Sequence, residues 1–308
     1  MVWSRLNSLT LRQLRVFSVV ARLLSYTRAA EELGCQQPTV SALVAELERV
    51  TQLTLLEQRG KHLVLTDEGQ ELYAHTQQVI AVADEAWQVM AELRGVTMAE
   101  RLPVRVAADT TVGTYVLPHL LGDFHQRRPD VVLNLYVANR ADVRAHLLAG
   151  EVDLVIAGRP PAVDGLVTEP FLANQLVTIA APGHVLVGRI QLPLARLAEE
   201  VFLLREVGSG TRAAVEEMFE VTGIPLKIGM VLGHIEAIKQ AVAAGLGVSV
   251  LSEAAVRREV RYRTLAILDV EHFPIQRRWY IARLAQLPLS ADAAAFIEFL
   301  QQCRYADL

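Results

Sequence analysis

The sequence predicts two domains: an N-terminal all-α domain that carries one small hairpin, and a C-terminal α/β domain divided into two lobes. Its 308 residues are enough for two domains. Apolar residues recur at helical spacing as far as Arg94, whereas beyond residue 102 short β-rich runs alternate with amphipathic stretches. We therefore expect the fold class to change near residue 100.

Composition narrows the class of function. The two cysteines, Cys35 and Cys303, are too few for a disulfide framework or a cysteine-rich zinc site. No apolar run approaches the roughly 20 residues that a membrane span requires, and no signal-peptide segment opens the chain. We expect a cytoplasmic protein without a membrane partner. The net charge of -4 means that any nucleic-acid binding has to come from a local surface.

Three helices are predicted before residue 52. The first has Thr10 as its N-cap and an apolar face of Leu11, Leu14, Phe17, Val20 and Ala21. Ser25 caps the second, which turns Ala29, Ala30 and Leu33 inward and ends at Gly34. The third has Pro38 in its first turn and an apolar stripe of Val40, Leu43, Val44 and Leu47.

A hairpin with a basic tip follows the third helix. In the run EQRGKHLVLT, the turn residues Arg59-Gly60-Lys61 separate two short extended segments. Three helices with a tight turn before the third, followed by such a hairpin, predict a winged helix-turn-helix. In that fold the third helix enters the major groove of DNA, and the wing lies against backbone phosphates.

This arrangement gives two sets of candidate DNA contacts. At the start of the third helix they are Gln36, Gln37, Pro38, Thr39 and Ser41. The candidate phosphate contacts outside it are Arg22, Arg28, Arg59, Lys61 and His62. Because an amphipathic helix pair also arises as plain packing, the interpretation depends on the hairpin and on the segment that follows.

That segment, residues 69–98, is predicted to be a linker helix that pairs with a copy of itself. Its apolar seam repeats every seven residues at Leu72, Val79, Ala86 and Leu93, interleaved with Thr76, Ala83 and Met90. The alternative is a helix that packs on its own domain. A two-fold dimer would read the two half-sites of an inverted repeat.

The N-terminal motifs together resemble a known family. The run LTLRQLRVF...YTRAAEELGCQQPTVSALVAELE...LLEQRGKHLVLTDEGQEL is similar to the DNA-binding domain of LysR-type transcriptional regulators over its whole length. The resemblance implies a DNA operator, dimer or tetramer assembly, RNA polymerase as a partner, and a C-terminal domain that senses a small metabolite.

The chain departs from that family at the third helix. Gln36-Gln37-Pro38 stands where the family commonly has Ser-Gln-Pro, so the helix lacks a hydroxyl cap. Ala42, Ala45 and Glu46 follow Ser41, where the family is often basic. We therefore expect phosphate contacts to fall more heavily on the wing and on Arg22 and Arg28.

The C-terminal domain is predicted to be an α/β fold of two lobes, of periplasmic-binding-protein type. The predicted strands are LPVRVAAD, VVLNLYV, VDLVIAG, NQLVTIAAP, VFLLRE, LKIGMVL and GVSVLS. Two crossovers between two mostly parallel sheets are expected near 169–176 and 269–280. The predicted domains are 1–68 (winged helix), 69–98 (linker helix) and 99–308 (effector domain). Lobe I is expected at about 102–172 and 276–303, and lobe II at about 173–275.

Polar segments follow two of these strands and open onto helices. They contain Asp109, Thr110, Thr111 and Thr114, and then Gly208, Ser209, Gly210 and Thr211. Free N–H groups at helix starts favour a carboxylate or phosphate, although capping alone is the alternative. The family resemblance adds Asn139, Arg140, His234, Ile235 and Ser249 as effector contacts. Asp109 would repel an anion unless it points away or pairs with Arg205 or Arg212.

An enzyme is the weaker interpretation, because no GxSxG, Walker, GxGxxG or HExxH motif occurs. We expect no metal and no cofactor; the alternative function is a freestanding small-molecule binding module. The runs DLVIAGRPPAVDGL, LLREVGSGTRAAVEEMF and IGMVLGHIEAIKQAVAAGLGVSVLS resemble the LysR-type branch that controls RuBisCO and Calvin-cycle operons. That resemblance implies an activator that responds to phosphorylated sugars or acids, or to reduced nicotinamide cofactor.

Overall fold

The computed structural model describes residues 8–94, 102–158 and 165–303. The chain divides into two compact units. The N-terminal unit comprises Met1–Leu102, Ala149–Glu151 and Gln286–Ser290, and the C-terminal unit comprises the remainder. The expected linker residues 95–98 and part of the run DLVIAGRPPAVDGL lie outside the described residues.

The N-terminal unit has the predicted order of helices and hairpin. Its elements are α1 (Leu11–Leu23), α2 (Tyr26–Glu32), α3 (Gln37–Thr51), β1 (Leu56–Arg59), β2 (His62–Leu65) and α4 (Asp67–Arg94). Helices α1 to α3 enclose a core whose fully buried members are Phe17, Val20, Ala29, Val40, Val44, Leu47 and Leu55.

Local capping explains where these helices begin and end. Thr10 and Gln13 form a reciprocal capping box at the start of α1, and Ser25 accepts from the Arg28 N–H at the start of α2. Gly34 follows α2 with φ +63°, as predicted for a left-handed turn. The expected inward position of Leu11 is wrong, since its side chain is 40% exposed. Gln13 is buried instead, because its Oε1 accepts from the Thr10 N–H.

The hairpin pairs β1 with β2 from Leu56 opposite Leu65 to Arg59 opposite His62. Gly60 forms the turn at φ +65°, a conformation that favours glycine. The turn therefore presents Lys61 at the tip of the wing, where its side chain is exposed.

Helix α4 carries the predicted seam, but its first turns belong to the N-terminal core. Leu72 is partly buried and packs against that core, and Thr76 is fully buried. The prediction of an intermolecular seam is therefore wrong at Thr76, and Leu72 contributes to the packing of its own unit. Farther along α4 several large apolar side chains are exposed, namely Val79, Val82, Trp87, Val89, Met90 and Leu93, and Leu93 reaches 83% exposure.

The C-terminal unit alternates strands and helices, as predicted. Its first elements are β3 (Val104–Asp109), α5 (Thr110–Tyr115), α6 (Leu117–Arg127), β4 (Leu133–Ala138), α7 (Arg140–Leu148), β5 (Leu154–Ala157) and β6 (Leu166–Ala180). The next are α8 (Leu194–Leu197), β7 (Phe202–Arg205), α9 (Gly210–Thr222), β8 (Ile228–Leu232), α10 (Ile235–Ala243) and β9 (Ser249–Ser252). The last are α11 (Glu253–Arg261), β10 (Ala266–Leu268), β11 (Ile275–Leu284) and α12 (Ala291–Gln302).

Strands β6 and β11 are the two predicted crossovers, and they pair with each other. Both are long, and they run antiparallel from Leu176 opposite Ile275 to Leu166 opposite Leu284. They join β10, β5, β3, β4 and β9 into one seven-stranded sheet. The expectation of two separate, mostly parallel sheets therefore needs correction: hydrogen bonding continues across the lobe boundary, and the pairings of β6 and β11 are antiparallel.

Parallel strands bring their carboxyl ends together in each lobe. In lobe I, β3 pairs in parallel with both β4 and β5, so Asp109 and Ala138 end side by side. In lobe II, β7 pairs in parallel with β8. Ligands of such sheets bind beyond the carboxyl ends of the strands, which directs attention to the residues that follow β3, β4, β5 and β7.

Candidate functional site

A narrow cleft lies at these strand ends, within the C-terminal unit. It is lined by Asp109, Thr110, Thr111, Asn139, Arg140, Gly158, Asn174, Leu176, Arg205, Ser209, Gly210, Thr211, Arg277 and Trp279. The lining comes from both lobes and from the two crossover strands. Its polar and cationic character fits a small polar ligand.

The segment after β3 contributes two threonines with different hydrogen-bonding capacity. The Thr110 hydroxyl donates to the Ala138 carbonyl at 3.0 Å, so its proton is used within the fold. Thr111 is buried in the cleft wall, and its hydroxyl can donate to a ligand. An anion in the cleft is therefore better served by Thr111 than by Thr110.

The loop after β7 places a hydroxyl at the start of α9. Ser209 is the N-cap of this helix, and its Oγ accepts from the Arg212 N–H at 3.5 Å. Because Oγ acts as an acceptor toward the helix, its own proton can point to a ligand. Gly208, at φ +92°, makes the turn that brings Ser209 into the cleft wall. Capping and ligand binding are thus compatible at Ser209.

The cationic lining consists of Arg140, Arg205 and Arg277. Arg205 is held by two hydrogen bonds to Glu206, at 2.7 and 2.8 Å, and is almost fully buried. Burial raises the pKa of Glu206, but the hydrogen bonds and charge of Arg205 outweigh it and hold that pKa below its usual value. Guanidinium groups bind carboxylate and phosphate through charge-assisted, often bidentate, hydrogen bonds.

Asp109 is the one carboxylate among the described cleft residues. Its Oδ2 accepts from the Gly158 N–H at 2.7 Å, and its Oδ1 is buried without a hydrogen-bond partner among the described residues. Burial raises the pKa of Asp109 to about 6, against the lowering effect of Gly158 and of the three arginines. The expected alternative of pairing with Arg212 does not occur, since Arg212 pairs with Glu216 at 2.7 Å.

The crossover strands form the remaining wall. Asn174 of β6 lies directly opposite Arg277 of β11. Trp279 lies where the β6–β11 register shifts between Arg278 and Tyr280, and its ring is buried. This irregularity turns a large apolar side chain toward the cleft at the lobe boundary.

Seven of the predicted effector residues line the cleft, and five do not. The seven are Thr110, Thr111, Asn139, Arg140, Ser209, Gly210 and Thr211. Thr114 is exposed on α5, Gly208 is exposed in the turn before Ser209, and His234 is an exposed N-cap of α10. Ile235 is buried in the lobe II core, and the Ser249 hydroxyl is buried and donates to the Leu203 carbonyl at 2.6 Å. The structure thus gives Ile235 and Ser249 packing roles.

Five lining residues were not predicted: Gly158, Asn174, Leu176, Arg277 and Trp279. Four of them lie on the crossover strands, whose positions were predicted but whose side-chain directions were not. The polar and basic residues in FLANQL and IQRRWY are the signal that could have identified two of them, because they interrupt otherwise apolar strands.

The predicted DNA-reading surface lies on the N-terminal unit and is described separately. Gln36, Gln37 and Pro38 are exposed at the start of α3, and Thr39 and Ser41 are partly exposed. Gln36 is the N-cap and makes no side-chain capping hydrogen bond, as the departure from the family pattern predicted. The start of α3 is therefore exposed to solvent on the surface of the N-terminal unit.

The basic residues of this unit differ in how strongly they are held. Arg22 pairs with Glu32, and the Arg28 guanidinium donates to the Leu23 carbonyl. Arg59 pairs with Glu57 at 2.6 Å on the wing. Lys61 and His62 are exposed at the wing tip. An arginine that is already paired gains less from a phosphate than an exposed lysine does, because the existing partner has to be displaced.

The described part of the chain contains neither a metal-binding cluster nor a membrane-spanning helix. Within 8–94, 102–158 and 165–303, no group of three or more His, Cys, Asp or Glu is arranged to hold a metal ion. None of the helices in those ranges is long and apolar enough to cross a membrane.

Both parts of the chain match known families. Residues 11–70 match the bacterial regulatory helix-turn-helix proteins of the lysR family, and residues 98–304 match the LysR substrate binding domain. The RuBisCO operon transcriptional regulator of Allochromatium vinosum is 44% identical over 291 residues, which cover 94% of this chain and 95% of the relative. The HTH-type transcriptional activator CmpR of Synechocystis sp. is 38% identical over 295 residues, 96% of each chain.

Solved structures agree with these matches. The CcmR regulatory domain of Synechocystis PCC6803 in complex with 2-PG is 41% identical with a TM-score of 0.62, covering 65% of this chain and 95% of that one. Full-length OxyR from Pseudomonas aeruginosa, in a variant form, has a TM-score of 0.72 at 26% identity, covering 95% and 93%. The chain thus has a helix-turn-helix unit and a two-lobed domain with a polar cleft, and its relatives match it over nearly their whole length. It belongs to the LysR family of bacterial transcriptional regulators.

Proposed function

We propose that this protein activates a carbon-fixation operon in the cytoplasm, without enzymatic activity of its own, and that a small phosphorylated acid in the cleft controls it. The regulators named above, of a RuBisCO operon and of the CmpR type, support the target class. The similarity to a regulatory domain in complex with 2-PG supports the ligand class. The single observation that carries the proposal is the cleft lined by Arg140, Arg205 and Arg277.

The chemistry of the cleft suits 2-phosphoglycolate, which has a phosphate at one end and a carboxylate at the other. Ser209 and Thr111 offer hydroxyl donors, and Gly210 and Thr211 begin α9, a helix of 13 residues. The helix dipole and the N–H groups of its first turn favour an anion. The arginines can hold the second anionic group. We therefore assign the cleft to a dianionic or trianionic acid in preference to a neutral sugar.

For DNA recognition we propose the segment from Gln36 to Ser41 and the wing around Lys61. Gln37 is exposed in the first turn of α3, where side chains of this fold reach base edges. The exposed apolar face of α4 from Val79 to Leu93 supports pairing of two copies. A dimer or tetramer then binds an inverted repeat, and activation occurs through contact with RNA polymerase.

Ligand control requires that the effector bind two arrangements of the assembly with unequal affinity. The cleft residues come from both lobes, so an anion held by Arg140 of one lobe and Ser209 of the other links them. A change in lobe arrangement is then the step by which the effector alters the dimer or tetramer. Couplings of this kind are typically about 1–3 kcal/mol.

Calorimetric titration of the full-length protein with 2-phosphoglycolate tests the ligand assignment. Arg140→Gln should weaken binding by about 10- to 100-fold, because a hydrogen bond to a charged group contributes about 1.5–3 kcal/mol. Arg144→Gln is the matched control, since Arg144 is exposed on the same helix and does not line the cleft. Its affinity should equal that of the wild type.

A second pair of variants tests the hydroxyl contact. Thr111→Val should weaken binding severalfold, because one neutral hydrogen bond contributes about 1 kcal/mol. Thr114→Val, outside the cleft on the same short helix, should have no effect. If wild-type protein binds 2-phosphoglycolate but Arg140→Gln and Thr111→Val both retain its full affinity, the site has been assigned to the wrong residues.

A further inference from the structure

Asp109 stands out within the cleft because a buried carboxylate is an unexpected group in an anion site. Its two oxygens are in different environments: Oδ2 accepts from the Gly158 N–H at 2.7 Å, whereas Oδ1 is shielded from solvent and lacks a partner among the described residues. A buried, unsatisfied carboxylate oxygen is costly; once protonated it loses its charge and can donate to an acceptor such as a ligand anion.

The charges that face Asp109 come from three elements. Arg140 begins α7, Arg205 ends β7, and Arg277 lies on β11; each favours the ionised carboxylate. Glu206 neutralises part of this field, because both of its oxygens accept from Arg205. With the carboxylates of Asp109 and Glu206 both ionised, the three guanidinium groups leave a net charge of about +1 around the cleft.

A phosphorylated acid changes that balance. A carboxylate and a phosphate monoester together carry close to three negative charges above about pH 7, since the second phosphate pKa is about 6. The same arginines that favour ionised Asp109 would then be shared with the ligand. Like charges in a site with low water content disfavour ionisation of the weaker acid.

We propose that Asp109 is the proton-accepting group of this effector site, so that the anionic effector binds together with one proton, which resides on Asp109 Oδ1. This inference rests on the ligand class proposed above. The proton comes from solvent, no covalent bond changes, and the protonated Oδ1 becomes a hydrogen-bond donor. Oδ2 keeps its bond from Gly158, because a neutral carboxyl still accepts through its carbonyl oxygen.

The burial of Asp109, which raises its pKa to about 6 before any ligand binds, agrees with this inference. Little further energy is needed to keep the carboxyl neutral near pH 7 once an anion is added. The effector site would therefore report cytoplasmic pH as well as metabolite concentration: effector affinity rises as pH falls.

The test is calorimetry of full-length protein with 2-phosphoglycolate at about pH 7.5, in two buffers that differ in ionisation enthalpy, which gives the number of protons taken up. Wild-type protein should take up close to one proton per ligand. Its affinity should fall by about tenfold per pH unit above about pH 7, the slope for one linked proton. Proton uptake near zero by wild-type protein that binds the ligand would overturn the proposal without touching the ligand assignment.

Asp109→Asn supplies the matched comparison. Its amide mimics the neutral carboxyl, with the oxygen toward Gly158 and the amino group in the position of Oδ1. This variant should bind without proton uptake, should vary less than about twofold over the same pH range, and should exceed wild-type affinity at high pH. Asp142→Asn, an exposed carboxylate on α7 outside the cleft lining, should behave as wild type.

The outcomes separate the two proposals. If Asp109→Asn still takes up one proton, the proton is on the ligand phosphate or on another group, and the role of Asp109 is disproved. If wild-type protein binds no 2-phosphoglycolate at any pH, the proposed ligand class fails, and this inference fails with it. Since proton uptake is measured on wild-type protein, the proposal can be tested even if the variant does not fold.

Discussion

Asp109→Asn should stabilise the protein without ligand, and the gain should grow with pH. Burial raises the pKa of Asp109 from 3.8 to about 6 in the folded chain. The folded state therefore binds more protons than the unfolded state between these values, so stability falls as pH rises through this window. Asparagine has no charge to bury and removes that dependence.

The magnitude follows from the size of the shift. A pKa shift of roughly two units lowers the free energy of unfolding of the wild type by about 3 kcal/mol between pH values below 4 and above 6, at 1.36 kcal/mol per unit. About 1 kcal/mol of this loss falls between pH 5 and 7.5. The variant should thus gain about 1 kcal/mol on the wild type across that interval.

Urea unfolding at several pH values measures this difference. Trp279 is buried and, like Asp109, lines the cleft, so its fluorescence reports unfolding of the C-terminal unit. The free energy of unfolding of Asp109→Asn minus that of wild type should rise with pH up to about 7 and then level off. Parallel pH profiles for the two proteins would show that folding does not raise the pKa of Asp109, contrary to this prediction.

Three further substitutions test the wing, the seam of α4 and a buried lysine of lobe II. Lys61→Ala should weaken operator binding and lower the salt slope by about 1 in an anisotropy titration, whereas Arg59→Ala should lose less because Glu57 already pairs with Arg59; equal losses would contradict the argument. Val79→Asp, in the exposed seam, should dissociate the assembly in sedimentation, whereas Glu85→Lys, at an exposed position of α4 that is already charged, should not; an unchanged mass for Val79→Asp would remove α4 from the interface. Lys239→Met should cost about 1–3 kcal/mol in urea unfolding, because the buried Lys239 ammonium contacts the partly buried Glu259 carboxylate at 2.9 Å and its loss leaves that carboxylate unpaired; unchanged stability would show that this ion pair is dispensable.

The parts of the fold that depend on local chemistry could be predicted from the sequence. Thr10, Ser25 and Gly34 mark helix ends because capping and a left-handed turn involve only neighbouring residues. The errors occur where the burial of a side chain depends on contacts with residues that are distant in the sequence. Leu11 is exposed at the start of α1 although its helical spacing suggested burial, and Leu72 packs on its own core although its heptad position suggested a partner copy.

The cleft shows the same division. Ser209 and Thr111 could be predicted because each follows a strand and opens a helix. Arg277 and Trp279 could not, because their direction depends on a register shift between β6 and β11 that has no local sequence signature. Ser249 was predicted as a contact from family resemblance, yet its hydroxyl is bonded to the Leu203 carbonyl within the core.

We propose that an anion in the cleft changes how the N-terminal unit binds operator DNA. Anisotropy titration of an inverted-repeat operator, with and without saturating 2-phosphoglycolate, measures this coupling. Wild-type protein should change its operator affinity by about 5- to 150-fold, and by reciprocity the operator should change ligand affinity by the same factor. Arg144→Gln should retain this coupling, and Arg140→Gln should lose it at the same ligand concentration. Equal operator affinity with and without bound ligand in wild-type protein would contradict the claim.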